Sequence, residues 1–276
     1  MKSRDSELGP DSRFAAVDGL QMHYTRRGSG PVVVLLHGSG SAAHGVAEVA
    51  ELLQGDFDVV CPDLPGFGLT GPRPDRDYRA STYCHSLARF LDAIDVPRCV
   101  LAGNSLGGNI AWNVAVEYPE RVSALVLINA TGYTDKGLPS SMALLRNPLV
   151  ALVLRHRMPR RAVERSLRGA VGKDDTMITD DVVTRAHRLW NRRGNAAAFV
   201  DFVNTDQPDR SSLVSAVSSP TLILRSADMD GQHFHRDISD SVEKVHPFGG
   251  HLLPQEDPRW VAQAMSTYLL PRRNEL

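Results

Sequence analysis

The chain has 276 residues, 42% of them hydrophobic and 23% charged, a balance that excludes a largely disordered polymer. Its formal net charge is −1, so no overall basic field exists to hold nucleic acid. No run approaches the roughly 18 consecutive apolar residues that a membrane span needs. The longest, Leu149–Leu154, runs straight into Arg155, His156 and Arg157. The first dozen residues are polar and mixed in charge, read as a loose tail (1–12) without the apolar core of a secretory signal. Asp18-Gly19 then favours a tight hairpin turn between two short strands. Pro31–Leu36 is apolar without alternation, the pattern of a strand covered on both faces. Comparable runs follow at Val59–Cys61, Cys99–Ala102, Ala124–Ile128 and Thr221–Leu224, with a last strand at Glu243–Val245.

Helical patterns lie between these runs. Leu87, Phe90, Leu91 and Ile94 share one helix face. A second helix containing Val114 must stop near Tyr118, because Pro119 disfavours helical backbone before it. Asp257-Pro258 reads as an N-cap and first helical residue. Strands alternating with helices imply an α/β fold with a mostly parallel sheet.

One interval breaks the alternation. Between Asn129 and Pro220 no convincing core strand occurs, whereas a crossover needs only ~10–12 residues. Helical segments are predicted at 139–156, 159–169, 178–193 and 195–204. The domain reading is therefore a core of 1–130 and 216–276 with a helical cap at 131–215. That cap holds 14 Lys/Arg against 9 Asp/Glu. Its net +5 is that of a solvated helix face, or of a surface attracting acidic substrates or a membrane surface.

The three cysteines, Cys61, Cys84 and Cys99, have no paired spacing, which argues against a disulfide framework or zinc knuckle. With the missing signal, this reads as a reducing, cytoplasmic setting. Gly103-Asn104-Ser105-Leu106-Gly107 follows an apolar run and opens a helix. In that context a G-x-S-x-G turn places the serine on a sharp, strained bend with its hydroxyl exposed. Serine needs a base, and the base an orienting group. His251, in Gly249-Gly250-His251 between the last strand and the last helix, can reach the same sheet edge. Asp228 and Asp230 both follow strand Thr221–Leu224; the shorter tether favours Asp228 as the acid, with Asp230 the runner-up. The backbone N–H groups of Ser39 and Leu106 are candidate oxyanion donors. His37, ahead of the glycines of His37-Gly38-Ser39-Gly40, reads as a brace for that loop.

These pieces resemble the α/β-hydrolase-fold serine hydrolases. The resemblance rests on His37–Gly40, Asp63-Leu64-Pro65-Gly66-Phe67-Gly68, Gly103–Gly108, and Gly250-His251 with Glu256 and Pro258 beyond. They span residues 31 to 258 in the family's order. The resemblance implies an eight-stranded, mostly parallel sheet with a helical cap after the sixth strand, Ser105 as nucleophile and His251 as base. One departure is Ser226, where members often have a glycine three residues before the acid; here the third residue on is Met229. Asn129, an alternative acid position in some members, is not an acid.

Gly66-Phe-Gly-Leu-Thr-Gly71 matches a dinucleotide fingerprint in letters only, since Pro72 and Pro74 follow where a helix should open. His233, His235 and Asp237 form too small a set to argue for a metal. The reading that follows is a serine esterase acting on a small-molecule substrate, with no metal or organic cofactor, no nucleic-acid partner and no stable membrane insertion. Oligomeric state is not legible. The Gly-Asn-Ser-x-Gly-Gly form also resembles hydrolases of carbon–carbon bonds in dienoate ring-fission products. Dehalogenases and epoxide hydrolases of this resemblance carry aspartate where Ser105 stands. A third class, a ligand-binding receptor or scaffold with little turnover, keeps the fold without the chemistry.

Overall fold

A computed structural model describes residues 8–133, 140–229 and 232–276. Most of the expected tail lies outside these residues, and Ser12 already belongs to the first strand. The strands are β1 (Ser12–Val17), β2 (Leu20–Gly28), β3 (Val32–Leu36), β4 (Asp58–Pro62), β5 (Cys99–Asn104), β6 (Val122–Ile128), β7 (Thr221–Ser226) and β8 (Ser241–His246). They form one sheet in the order β1-β2-β4-β3-β5-β6-β7-β8. The β1–β2 and β2–β4 pairings are antiparallel and the other five parallel. Asp18 and Gly19 both take positive φ, the left-handed backbone that a tight two-residue hairpin requires.

The helices are α1 (Ala47–Leu53), α2 (Ala80–Ala93), α3 (Leu106–Glu117), α4 (Ser140–Ala143), α5 (Pro148–Leu154), α6 (Arg160–Arg168), α7 (Asp180–Trp190), α8 (Asn195–Asn204), α9 (Phe234–Asp237), α10 (Leu253–Glu256) and α11 (Pro258–Leu269). The non-alternating apolar runs are explained by the two covered faces of the sheet. Val33, Leu35, Val100, Ala102, Ala124 and Val126 join the cluster that includes α1 and α11. Val34, Leu36, Leu101, Leu125 and Leu127, the alternate positions, join the cluster of α2 and α3. Truncating one of these fully buried leucines, Leu101→Ala for example, costs ~2–5 kcal/mol through lost transfer energy and the cavity left behind. The expected caps are present. Asp257 accepts from the Trp260 amide at 2.9 Å, with Pro258 starting α11. α3 ends at Glu117, one residue before Tyr118 and two before Pro119.

Helices α4 to α8 lie between β6 and β7. The single helix expected over 139–156 is not continuous; residue 139 lies outside the described residues. Pro148 forces Asn147 into extended backbone (ψ 121°), so the chain breaks after a 3-10 turn at Leu144–Arg146. The Asn147 side chain then caps α5 by accepting from the Leu149 and Val150 amides. Among the described residues no helix is long and apolar enough to cross a membrane.

At the end of β4 the buried Asp63 ties three segments together. Its carboxylate accepts from His23 Nδ1 at 2.8 Å on β2, from the Ala43 amide at 2.6 Å, and from the Leu69 amide at 2.7 Å. Ala43 follows the glycine loop after β3, so this carboxylate helps fix the approach to the site.

Candidate active site

The candidate site sits at the carboxyl ends of β3, β5 and β7. β5 ends at Asn104, and Ser105 turns the chain into α3 with φ 55° and ψ −114°, a region that L side chains rarely adopt. Two close approaches hold that turn. A Cβ on Gly103 would lie 2.3 Å from the Gly107 carbonyl carbon, and one on Gly107 would lie 2.5 Å from the Leu36 carbonyl oxygen. The elbow therefore packs backbone on backbone, and its strain is held by the strand on one side and the helix on the other.

His251 Nε2 lies 2.7 Å from Ser105 Oγ, so the two side chains expected to work together are in hydrogen-bond contact. The loop that carries His251 is held at several points. Its amide donates to the Ala170 carbonyl at 2.7 Å. Its carbonyl accepts from Asn104 Nδ2 at 3.0 Å. The preceding carbonyl, of Gly250, accepts from Ser226 Oγ at 2.7 Å and Asn129 Nδ2 at 2.8 Å. Asn129 Oδ1 in turn accepts from the Ser226 amide at 2.8 Å. One carboxylate oxygen of Glu256 accepts from both the Gly250 and Gly172 amides, each at 2.8 Å.

Asn104, Ser226 and Glu256 are thus supports that reading the sequence for catalytic groups did not assign. All three carried a visible signal, Glu256 as part of the motif that follows Gly250-His251. Ser226 stood out as a serine where related chains often have glycine, and its hydroxyl has a use here. Asn104 occupied the variable position of the serine motif. Asn129 is not an acid, yet its carboxamide fills the gap between β6, β7 and the histidine loop.

His37 is buried and braces its loop as expected. The Leu64 amide donates to Nε2 at 2.9 Å, which leaves the proton on Nδ1 to donate to the Gly38 carbonyl at 2.7 Å. Loss of water on burial lowers its pKa, which only the charge of Asp63 and the Gly38 bond oppose. With both nitrogens engaged, His37 is not available as a base. A Cβ on Gly38 would lie 3.3 Å from the Ser105 Cβ, so the glycine loop runs alongside the serine. Among the described residues the amides of Ser39 and Leu106 donate to no acceptor. The latter also begins α3, where the helix dipole favours negative charge. From the insert, Trp190 Nε1 donates to the Gly40 carbonyl, and its ring packs on Phe199.

The two candidate acids are not equivalent. Met229 donates its amide to the Ser226 carbonyl at 3.0 Å, closing a tight turn with Ala227 and Asp228 at its corners. Corner side chains point outward; Asp228 is exposed and forms no hydrogen bond with His251. The structure therefore does not bring the favoured aspartate to the imidazole. Asp230 lies outside the described residues. Of the two sequence decoys, Gly66–Gly71 is an irregular loop well ahead of α2. Asp237 accepts from the Tyr133 hydroxyl at 2.8 Å and from Arg236, and His235 bonds Ser241.

Comparison with known proteins agrees with this architecture. Residues 31–168 match the family model for the alpha/beta hydrolase fold. The chain is 30% identical over 231 residues to the 2-hydroxy-6-oxononadienedioate/2-hydroxy-6-oxononatrienedioate hydrolase of Burkholderia vietnamiensis, covering 76% of this chain and 75% of that one. It is 25% identical over 272 residues to an uncharacterized hydrolase of Bacillus subtilis, covering 95% and 98% respectively. The crystal structure of a membrane phospholipase A, described as a bacterial virulence factor, superposes with a TM-score of 0.79 at 26% identity, over 95% of this chain and 86% of that one. With its eight-stranded, mostly parallel sheet and the serine turn between β5 and α3, the chain belongs to the α/β-hydrolase-fold family and is a hydrolase.

Proposed function

We propose that the protein is a serine hydrolase that cleaves the carboxylic ester of a small or medium-sized apolar substrate through an acyl-enzyme on Ser105. The observation that carries the reading is the 2.7 Å contact between Ser105 Oγ and His251 Nε2 on a strained turn. Ser105 Oγ attacks the ester carbonyl while His251 Nε2 takes its proton. The amides of Ser39 and Leu106 receive the oxyanion, and preorganised donors of this kind typically contribute ~10²–10³ each in rate. As the tetrahedral adduct collapses, His251 returns the proton to the departing alkoxide. Water then enters, loses a proton to His251 and attacks the acyl carbonyl. The carboxylic acid leaves and Ser105 regains its proton. No step calls for a metal or organic cofactor. The helical insert serves as a cap, with Trp190 seated on the oxyanion loop.

For the acid we favour Asp230 over Asp228, because the Ser226–Met229 turn directs Asp228 to solvent. Its role is to hold the His251 tautomer and balance the imidazolium. The test is hydrolysis of p-nitrophenyl esters of increasing acyl length by wild type and Ser105→Ala. Turnover with a burst of p-nitrophenol, absent in the variant, supports the acyl-enzyme. A folded wild type inert on every ester defeats the ester reading.

A second reading keeps Ser105 and His251 but changes the bond. The 30% identity to a dienedioate hydrolase favours cleavage of a carbon–carbon bond in a ring-fission product. Loss of the dienoate chromophore on mixing with enzyme, without ester turnover, would select it. A ligand-binding protein with no turnover would fail both assays while still binding.

A further inference from the structure

We infer that the outer face of α5 and the turn before it form a docking surface for anionic lipid bilayers. The inference deepens the ester reading, since it sets where the acyl substrate is met.

Every residue of α5, Pro148–Leu154, is apolar, yet none is buried. Helices that are apolar all round ordinarily lie inside a protein or a membrane. Here only one side is covered. Val150, Ala151 and Leu154 pack against the core cluster, above the buried Leu145. On the other side Leu149, Leu152 and Val153 fall at i, i+3 and i+4 and are 77%, 59% and 67% exposed. Leu144, in the preceding turn that packs against α5, is 60% exposed. Three large aliphatic side chains of α5 thus form one outward ridge, with the exposed Leu144 in the turn before it, a feature that marks an interaction site rather than scattered exposure.

The charges around the ridge choose the occupant. Residues 140–163 contain Arg146, Arg155, Arg157, Arg160 and Arg161 and no Asp or Glu. Arg155 is committed to Asp201 at 3.0 Å, and Arg160 to Asp180 and Glu164. Arg146, Arg157 and Arg161 are exposed and form no ion pair among the described residues. An aliphatic ridge fringed by cations of one sign matches a bilayer that offers acyl chains below an anionic headgroup layer. The ridge is too short to span that layer, so the association is peripheral.

The test uses the full chain and vesicles of phosphatidylcholine, alone or with about a third phosphatidylglycerol, read by co-sedimentation. The wild type should bind the anionic vesicles at least ~10-fold more strongly, and salt raised to about 0.5 M should weaken that binding. Leu149→Asp with Leu152→Asp should reduce binding by ~10-fold or more, and Arg157→Glu by several-fold, about tenfold together with Arg146→Glu. All variants should keep the wild-type melting temperature and the wild-type rate on a soluble short-chain ester. Wild type that ignores anionic vesicles, or ridge variants that bind equally well, would overturn the proposal. So would a concentration-dependent dimer that Leu149→Asp dissolves, which would assign the ridge to a second copy. Vesicle binding by a protein inert on every ester leaves docking in place and defeats the ester reading alone.

Discussion

Two of the serine–histidine pairs among the described residues lie apart in the sheet order. At the sheet centre Ser105 Oγ meets His251 Nε2 at 2.7 Å; toward the edge Ser12 Oγ meets His23 Nε2 at 3.0 Å. At the edge pair His23 Nδ1 also bonds the buried Asp63 at 2.8 Å. Yet Ser12 lies in ordinary strand backbone paired with Thr25, and its hydroxyl accepts the Gly9 amide. No turn exposes it. Asp63 spends its remaining acceptor capacity on the Ala43 and Leu69 amides, which makes the edge arrangement a brace. Ser105 sits instead on a left-handed bend at a helix start, beside the Ser39 and Leu106 amides, which donate to no acceptor among the described residues. A hydrogen-bonded serine, histidine and carboxylate is therefore insufficient for catalysis; strain at the serine and vacant donors around it separate the two pairs.

Removing each serine tests that separation most sharply. Ser105→Ala should lower kcat/KM on esters by ~10⁴–10⁶, while Ser12→Ala stays within about twofold of wild type. Comparable losses from both would erase the distinction. The next largest effect concerns the orienting carboxylate. Asp230→Asn should cost ~10⁴ in kcat, the scale set when an imidazole is held in the wrong tautomer. Asp228→Asn, at an exposed turn corner, should leave kcat within about twofold. The reverse order would return the role to Asp228.

At the edge pair the expected loss is in stability. Asp63→Ala leaves His23 and two amides without their buried acceptor and should cost ~3–5 kcal/mol in a urea titration. Burial alone would raise the Asp63 pKa, but the His23 bond, the His23 and His37 charges and the Leu69 amide outweigh it and hold it below the usual carboxylate value. A depressed carboxyl pKa contributes stability that is complete above its unfolded value and lost as pH falls through the folded one. His37 is lowered by burial, and His44 to about 4 by burial and the charge of Arg185. Their stability is likewise present above about pH 6.5, the unfolded histidine value, and is lost on acidification. Urea midpoints should therefore fall below about pH 6.5 and fall further in the carboxylate range, with the second decline flattened in Asp63→Ala.

The parts of the site written locally were legible. Ser105 declared itself by glycines two residues away on each side, and the sheet by runs whose alternate residues serve its two faces. Local pattern is silent where tertiary contacts decide. Tether length pointed to Asp228, but the Met229–Ser226 hydrogen bond turns it outward. The apolar stretch over 139–156 looked like one helix, and Pro148 interrupts it. The lattice of Asn104, Asn129 and Ser226 around the histidine loop joins residues 97 to 147 positions apart, so no window of sequence displays it. Asp63 resembled one letter of a loop motif, and its work with His23 appears only once β2 lies against β4.

The subtlest difference between the pairs is what holds each histidine. His23 is held by Asp63 within the sheet and its loops, and the His251 backbone is joined to the helical insert through Ala170, with Glu256 bridging Gly250 to Gly172. Glu256 is a positioning residue in this arrangement: it touches neither the ring nor Ser105, and it sets the distance between insert and histidine loop. Glu256→Ala removes the shared acceptor and should lower kcat by ~10-fold, with little change in KM for a short ester. Glu256→Gln keeps one accepting oxygen and loses only the charge assistance, so it should recover most of that rate. A merely structural carboxylate predicts instead that both variants melt earlier while kcat per folded molecule is unchanged. Recovery by glutamine together with a selective loss of kcat in alanine would place control of His251 partly in the insert, a dependence that the edge pair, held wholly within the sheet and its loops, does not have.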